Sequence, residues 1–397
     1  MSSDVEVRAE ATPAYGVWAE LVGQDRAVET LRRAARGEDH AMSHAWLVVG
    51  PPGSGRSNAA RAFAAALQCE RPGGVEAGCG RCNGCRTALS GAHPDVTLVR
   101  TEQLSIGVEE VRDLVRRAAM SPTMRHHQVI VVEDADRVTE RGADALLKSV
   151  EEPAPGTVWI LCAPTSDDVV VTIRSRCRLL SLATPTADAV ARLLVARDGV
   201  EPALAAEAAW AAQGHVGRAR VLARDEAARS RRREILLIPF GLTGLPACLA
   251  AAARLVEMCS AEATAATELV DARERSALEE ALGFGTRGAR PRQAAAAVKE
   301  LEDQQRARAK RFQRDAIDRA LTELTGFYRD LLSLQTRSGA PLVNVALASR
   351  LTALARRSSP ESTLRRIDAL LGCRTALEGN VAPLLALEST MIALVEA

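Results

Sequence analysis

The sequence is poor in aromatic residues, holds no long apolar run and carries no excess of either charge. Phe, Trp and Tyr make up 3% of it while alanine and leucine are plentiful, a balance that favours helical packing over sheet sandwiches. No segment approaches the roughly 18 unbroken apolar residues of a membrane span, so no membrane partner is expected. Charged residues reach 25% but nearly cancel, leaving a formal net charge of +1. That removes any global attraction to DNA or membrane and leaves room only for a local basic face. The opening stretch, MSSDVEVRAEATPAYG, lacks the basic start and apolar core of a secretory signal, so a cytoplasmic location is expected. A chain of 397 residues exceeds one ordinary domain and suits two or three.

Nine cysteines are present, and in a reducing compartment they read first as thiols and metal ligands. Four of them, Cys69, Cys79, Cys82 and Cys85, form a C-x9-C-x2-C-x2-C arrangement. The tight C-x2-C-x2-C part turns neighbouring thiolates onto one ion, and the intervening PGGVEAG lets Cys69 return to it. Four thiolates without histidine point to a closed, tetrahedral, structural zinc site. Cys162, Cys177, Cys248, Cys259 and Cys373 read as small buried residues.

The run AWLVVG, the segment GPPGSGRS and the helical pattern SNAARAFAAALQC give strand, loop and helix in succession, the setting of a phosphate-binding loop. Gly50, Gly53, Ser54 and Gly55 supply the backbone that would cradle phosphates, and Ser57 a hydroxyl for magnesium. Where such loops carry lysine, this one carries Arg56, whose planar guanidinium cannot fill the volume of a compact ammonium without displacing loop or phosphate. ATP with Mg2+ is therefore a doubtful ligand. A second apolar run, QVIVVEDADRV, ends in Glu133 and Asp134. Sites of this type place aspartate first, near magnesium, and glutamate second, against the attacking water. The exchange leaves Asp134 one methylene, about 1.5 Å, short of that water, and an error near 1 Å can cost on the order of a hundredfold in rate. A third run, TVWILCAPTS, completes an alternation of apolar strands and helical patterns, which implies an α/β fold with a parallel sheet.

ELVGQ, SHAWLVVGPPGSGRS, the four-cysteine insertion, VVEDADRVTERGADALLKSVEEP and TIRSRC together resemble the bacterial clamp-loader AAA+ family of DNA polymerase III. The likeness spans roughly residues 17–180. Within the family, the altered loop and the Glu-Asp order look most like the delta-prime branch, whereas the hydrolysing gamma/tau branch keeps lysine and Asp-Glu. The resemblance implies an AAA+ domain over residues 1–182 with the zinc insertion at 69–85, a helical lid over 183–233 and an all-α collar over 234–397. It implies partners: gamma/tau and delta subunits in a heteropentamer, a sliding clamp and, through the complex, primer-template DNA. It makes Arg176, in Ser-Arg-Cys, an arginine finger reaching a neighbour's ATP site, with no ATPase or polymerase activity of the chain's own. Without the family, Arg174, Arg176 and Arg178 read as surface charge at a strand end. Thr165 falls near the family's γ-phosphate sensor, and in GHVGRAR the position of a second sensing arginine falls on Gly217.

Other stretches leave alternatives open. VWAELVGQDRAVETLRRAARG reads as one amphipathic helix, and ILLIPFGLTGLP as a connection or poorly patterned helix start. QAAAAVKELEDQQRARAKRFQRDAIDRAL reads as a solvated helix or as a basic face for nucleic acid. NVAPLLALESTMIAL is a collar helix or an ordinary core helix. Two rival functions remain: a working gamma/tau-type ATPase that tolerates Arg56, and a zinc-containing DNA-binding module.

Overall fold

The computed structural model describes residues 16–38, 40–71, 77–101, 105–124, 127–282 and 292–396. The opening stretch up to residue 15 and the break around 283–291 lie outside the described residues. The chain forms two compact units, one ending at Ala223 and the other starting at Arg224.

In the first unit α1 (Asp25–Ala35) precedes β1 (Ala45–Val49), α2 (Arg56–Leu67), α3 (Asn83–Ser90), β2 (Val96–Val99), α4 (Val108–Ala118) and β3 (Gln128–Val132). Then come α5 (Glu140–Glu151), β4 (Thr157–Ala163), α6 (Val171–Arg174) and β5 (Arg178–Ser181). The five strands are all parallel, in the order β2-β3-β4-β1-β5, with Trp46 of β1 opposite both Ile160 of β4 and Arg178 of β5. This is the α/β class read from the sequence. Side chains alternate across each strand. Trp46, Val48, Val131 and Ile160 join the core that holds α1 and α2; Leu47, Ile130, Trp159 and Leu161 join the one that holds α4 and α5. Buried on both faces, the strands β1, β3 and β4 read as continuous apolar runs. The four-residue strands β2 and β5 carry polar residues and were not evident as strands.

The amphipathic segment 17–37 is not one helix. A 3-10 turn at Gly16–Glu20 stops short of α1, because Gly23 takes φ +69° and Gln24 leaves the helical path. The Gln24 side-chain amide donates to the carbonyls of Ala183 at 2.6 Å and Ser54 at 3.2 Å. Three helices close this unit: α7 (Ala187–Asp198), α8 (Pro202–Ala211) and α9 (Val216–Arg224). Arg220 of α9 pairs with Asp198 at 2.8 Å and Glu20 at 2.9 Å.

The second unit is helical: α10 (Glu226–Gly241), α11 (Leu245–Ala281), α12 (Arg292–Thr336), α13 (Ala348–Ala355), α14 (Pro360–Glu378) and α15 (Pro383–Glu396). Ile235–Pro246 is mostly helix rather than connection: α10 runs through Pro239, and Pro246 sits in the first turn of α11, where its missing N–H costs nothing. The charged stretch of α12 also departs from a simple solvated face. Arg308 is buried against α11, with Asp271 at 2.6 Å and Glu274 at 2.7 Å, so its charge is used between helices. The apolar end of the chain, α15, buries Ala386, Leu387, Met391 and Leu394 in this unit's core. No helix among the described residues is long and apolar enough to cross a membrane.

Fully buried Asp330 of α12 organises the loop before α13, accepting the amides of Val343 at 3.0 Å and Asn344 at 2.7 Å and the Asn344 side chain at 3.0 Å. Asp330→Ala strands these donors and is expected to cost roughly 3 kcal/mol of the second unit's stability. Denaturant unfolding of the variant, followed by hydrogen exchange at Val343 and Asn344, checks this.

Candidate functional site

The phosphate-type loop joins the C-terminal end of β1 to α2, with Gly53 at φ +84° and Gly55 at φ +95°, conformations that favour glycine. Arg56 opens α2, and its guanidinium folds back to donate to the Gly50 carbonyl, closing the loop on itself. Ser57 is half-buried in the first turn, and Ser54 is buried with its hydroxyl unpartnered among the described residues. His215, just before α9, lies directly on the loop: a Cβ on Gly53 would fall 2.4 Å from the His215 ring. The same ring accepts the Arg218 amide through Nδ1 at 3.2 Å and so caps α9. Gly217 adjoins it, with its own Cβ position 3.4 Å from the imidazole.

The acidic pair follows β3. Glu133 is buried, and its Oε1 accepts Nε of Arg61 on α2 at 2.6 Å. Asp134 stands 4.0 Å from Arg137. Thr165 lies beyond β4, and both its amide and its hydroxyl donate to Asp168 at 2.8 Å. The Arg56 guanidinium, the Glu133 carboxylate and the Thr165 hydroxyl are thus all engaged by groups of this chain.

Three neighbouring arginines have different partners. Arg174 bonds Asp167, and Arg178 at the start of β5 donates to Ala41 and lies 5.0 Å from the Trp46 ring centre. Arg176 projects from the turn after α6, where Nη1 donates to the Thr172 carbonyl at 2.8 Å and Nη2 to Glu151 of α5 at 3.0 Å.

Cys69, Cys79, Cys82 and Cys85 bring their sulfurs within 4.8 Å of one another, so the cluster can hold a metal ion. Cys69 and Cys82 stand 4.0 Å apart. That is far beyond a disulfide bond and close to the edge, about 3.8 Å, of a tetrahedron with metal–sulfur bonds near 2.3 Å. The Cys79 sulfur accepts amides of Arg81 at 3.5 Å and Cys82 at 3.4 Å, and the Cys82 sulfur accepts that of Cys85 at 3.4 Å. Burial works to raise the Cys79 thiol, but these amides hold it down to about 6, whereas burial pushes Cys85 well up. Gly84 is required at its position, since a Cβ would meet the Gln68 carbonyl at 2.0 Å. The N-terminal turn docks on this knuckle: Val17 donates to Gly78 at 3.0 Å and the Trp18 indole to Ala77 at 2.9 Å. Of the other cysteines, Cys162, Cys248, Cys259 and Cys373 are buried and Cys177 is half-buried, with burial raising Cys177 and Cys259 to about 12.

Residues 23–186 match the family model described as DNA polymerase III, delta subunit. Over 174 residues the chain is 36% identical to the delta-prime subunit of Pseudomonas aeruginosa, covering 43% of this chain and 53% of that one. With the Bacillus subtilis delta-prime subunit it shares 31% over 200 residues, 50% of this chain and 60% of that one. The first unit is thus similar to delta-prime and gamma/tau subunits of DNA polymerase III. Its gamma/tau relatives include that of Mycobacterium tuberculosis, 34% identical over 160 residues, 40% of this chain and 27% of that one. The chain spans about half the length of the delta-prime relatives it matches. Among solved structures, a gamma subunit-related protein of Thermotoga maritima aligns over 74% of this chain and 99% of its own, at 16% identity and TM-score 0.34.

Sequence reasoning singled out the loop, the acidic pair, the cysteines and Arg176, but not their partners Arg61, Glu151 and His215. Arg61 and Glu151 carried only ordinary helix charges. His215 was inside the quoted GHVGRAR, yet its contact needs Gly53, far away in sequence.

Gly53→Ala is expected to displace His215 and, through the left-handed backbone, to cost about 1–3 kcal/mol. Faster hydrogen exchange over α9 than in wild type, with α12 unchanged, is the expected readout.

Proposed function

We propose that the chain is a delta-prime-type stator of the DNA polymerase III clamp loader: a subunit that does not turn over ATP, supplies Arg176 in trans to a neighbouring gamma/tau site, and helps place a sliding clamp on primed DNA. The observation that carries this reading is that Arg56 closes the loop on Gly50 while Glu133 is spent on Arg61. Both groups that would act on a nucleotide are committed internally, whereas Arg176 remains at the surface with donors to spare. A permanently charged, planar guanidinium suits charge on a transferring phosphoryl group, and a finger offered in trans ties hydrolysis to assembly.

The same reading divides the chain into an AAA+ domain (1–182), a lid (183–233) and a collar (234–397) that joins gamma/tau and delta in a heteropentamer. Exposed Leu364, Leu371, Leu384 and Leu385 on α14 and α15 supply apolar surface for such a collar. The four cysteines would hold structural zinc, whose 2+ charge favours the thiolate form that burial opposes at Cys85.

The decisive experiment is steady-state ATP hydrolysis by a complex of this chain with gamma/tau and delta. The isolated chain should be silent. Arg176→Ala should remove the turnover of the adjoining site, about 10³-fold or more at that site. Turnover by the isolated chain near that of the complex, abolished by Asp134→Ala, would instead establish a working ATPase. Separately, Cys82→Ser should lower bound zinc from one equivalent toward none, measured by metal analysis of the purified protein, and lower its melting temperature.

A further inference from the structure

Glu151 has no part in the nucleotide or cysteine sites described above, yet it occupies an electrostatically costly place. It is the last residue of α5, where the free carbonyls and the helix dipole disfavour a carboxylate. Its partner is Arg176, whose Nη2 it accepts at 3.0 Å, while the carbonyl of Thr172 on α6 takes Nη1 at 2.8 Å. Two elements, α5 and α6, therefore hold one guanidinium through Nη2 and Nη1, with the Ser175 hydroxyl a further, longer acceptor of Nη1 at 3.4 Å. A guanidinium has five N–H donors, so others stay available to an incoming phosphate oxygen.

Stability alone gives little reason for this pair. Its side chains are 34% and 49% exposed, and ion pairs so open to water contribute little. The local alternatives are already taken, since Arg174 bonds Asp167 and Arg178 lies over Trp46. What the pair does provide is order: a long, many-rotamer side chain is fixed before a partner arrives, which spares the entropy of fixing it on binding.

We propose that Glu151 is a positioning residue for Arg176, orienting the guanidinium that the stator presents to its neighbour's ATP site. This inference rests on the trans-finger reading above. It implies that Glu151 acts through Arg176 and has no effect of its own on assembly or on ATP affinity.

The test uses the reconstituted complex with four forms of this chain: wild type, Glu151→Gln, Arg176→Ala and the double variant. Glu151→Gln is expected to lower the Arg176-dependent kcat about tenfold, within the range that small misplacements of a reacting group produce, with KM for ATP unchanged. Glu151→Asp should recover part of the loss. In the Arg176→Ala background the glutamine should add nothing, the non-additivity expected of residues acting as one unit. Wild-type turnover in Glu151→Gln, or an equal further loss on top of Arg176→Ala, would overturn the proposal while leaving the finger intact. If Arg176→Ala itself changes nothing, it is the stator reading that fails. Complex formation by size-exclusion chromatography, expected to be the same for all forms, separates positioning from a folding defect.

Discussion

A buried carboxylate at the C-terminal edge of a parallel sheet must be neutralised, and at Glu133 the cation is Arg61. That ion pair ties the end of β3 to α2, the helix that begins in the phosphate-type loop. With α2 so placed, Arg56 reaches the carbonyl of Gly50, six residues earlier at the start of the loop, and the loop is closed by the first residue of α2. The approach of His215 then completes the arrangement, because Gly53 has no side chain to keep the ring away. The Arg56 guanidinium turns inward and fills the space beside the loop with chain. The loop therefore turns on left-handed Gly53 and Gly55 while the Arg56 charge serves the fold.

Alanine explains how this unit manages with so few aromatic residues. α2 buries Ala59, Ala60, Ala62, Ala64, Ala65 and Ala66 together with Phe63, so it is covered on nearly every side. Small side chains let the sheet approach from one side and the cysteine knuckle from another, and dense contact replaces large rings. The knuckle is pulled as close as backbone permits: Gly84 meets the Gln68 carbonyl where no Cβ fits, and Gly78 has Val17 at 2.6 Å from its Cβ position. Trp18, itself buried, seals the edge by bonding to Ala77. The four sulfurs are thus held by a packed helix on one side and a docked turn on the other, and the cysteine cluster inherits its geometry from both.

What the sequence made legible follows from distance along the chain. The loop, the acidic strand end and the C-x2-C-x2-C knuckle are local patterns, and β1, β3 and β4 are buried on both faces, so they appear as unbroken apolar runs. β5 has Arg178 and exposed Leu179 within four residues and gives no such signal. The helix over 17–37 failed for a similar reason: its amphipathic period continues through Gly23 and Gln24, but Gln24 is taken by carbonyls of Ala183 and Ser54, residues that no local window contains. In the second unit, the mixed charges of α12 fit a solvated helix by composition, yet Arg308 finds Asp271 and Glu274 across a helix pair. Period and composition reveal which residues want to be buried or charged; they do not reveal which distant partner satisfies them.

The three arginines of the segment Arg174–Arg178 carry this point into function. They are chemically identical and two residues apart, so nothing in their own composition separates them. Partners do. Arg174 closes a loop on Asp167, and Arg178 packs against the buried Trp46 of the neighbouring strand β1. Arg176 alone among them is held by a carboxylate from another helix end and a carbonyl from the preceding helix, in a setting open enough to reach a second molecule. A guanidinium held in orientation but not buried keeps further N–H donors in set directions and has not yet lost its hydration. One arginine closes the glycine loop on itself and another stays at the surface, and both outcomes follow from what lies within hydrogen-bonding reach.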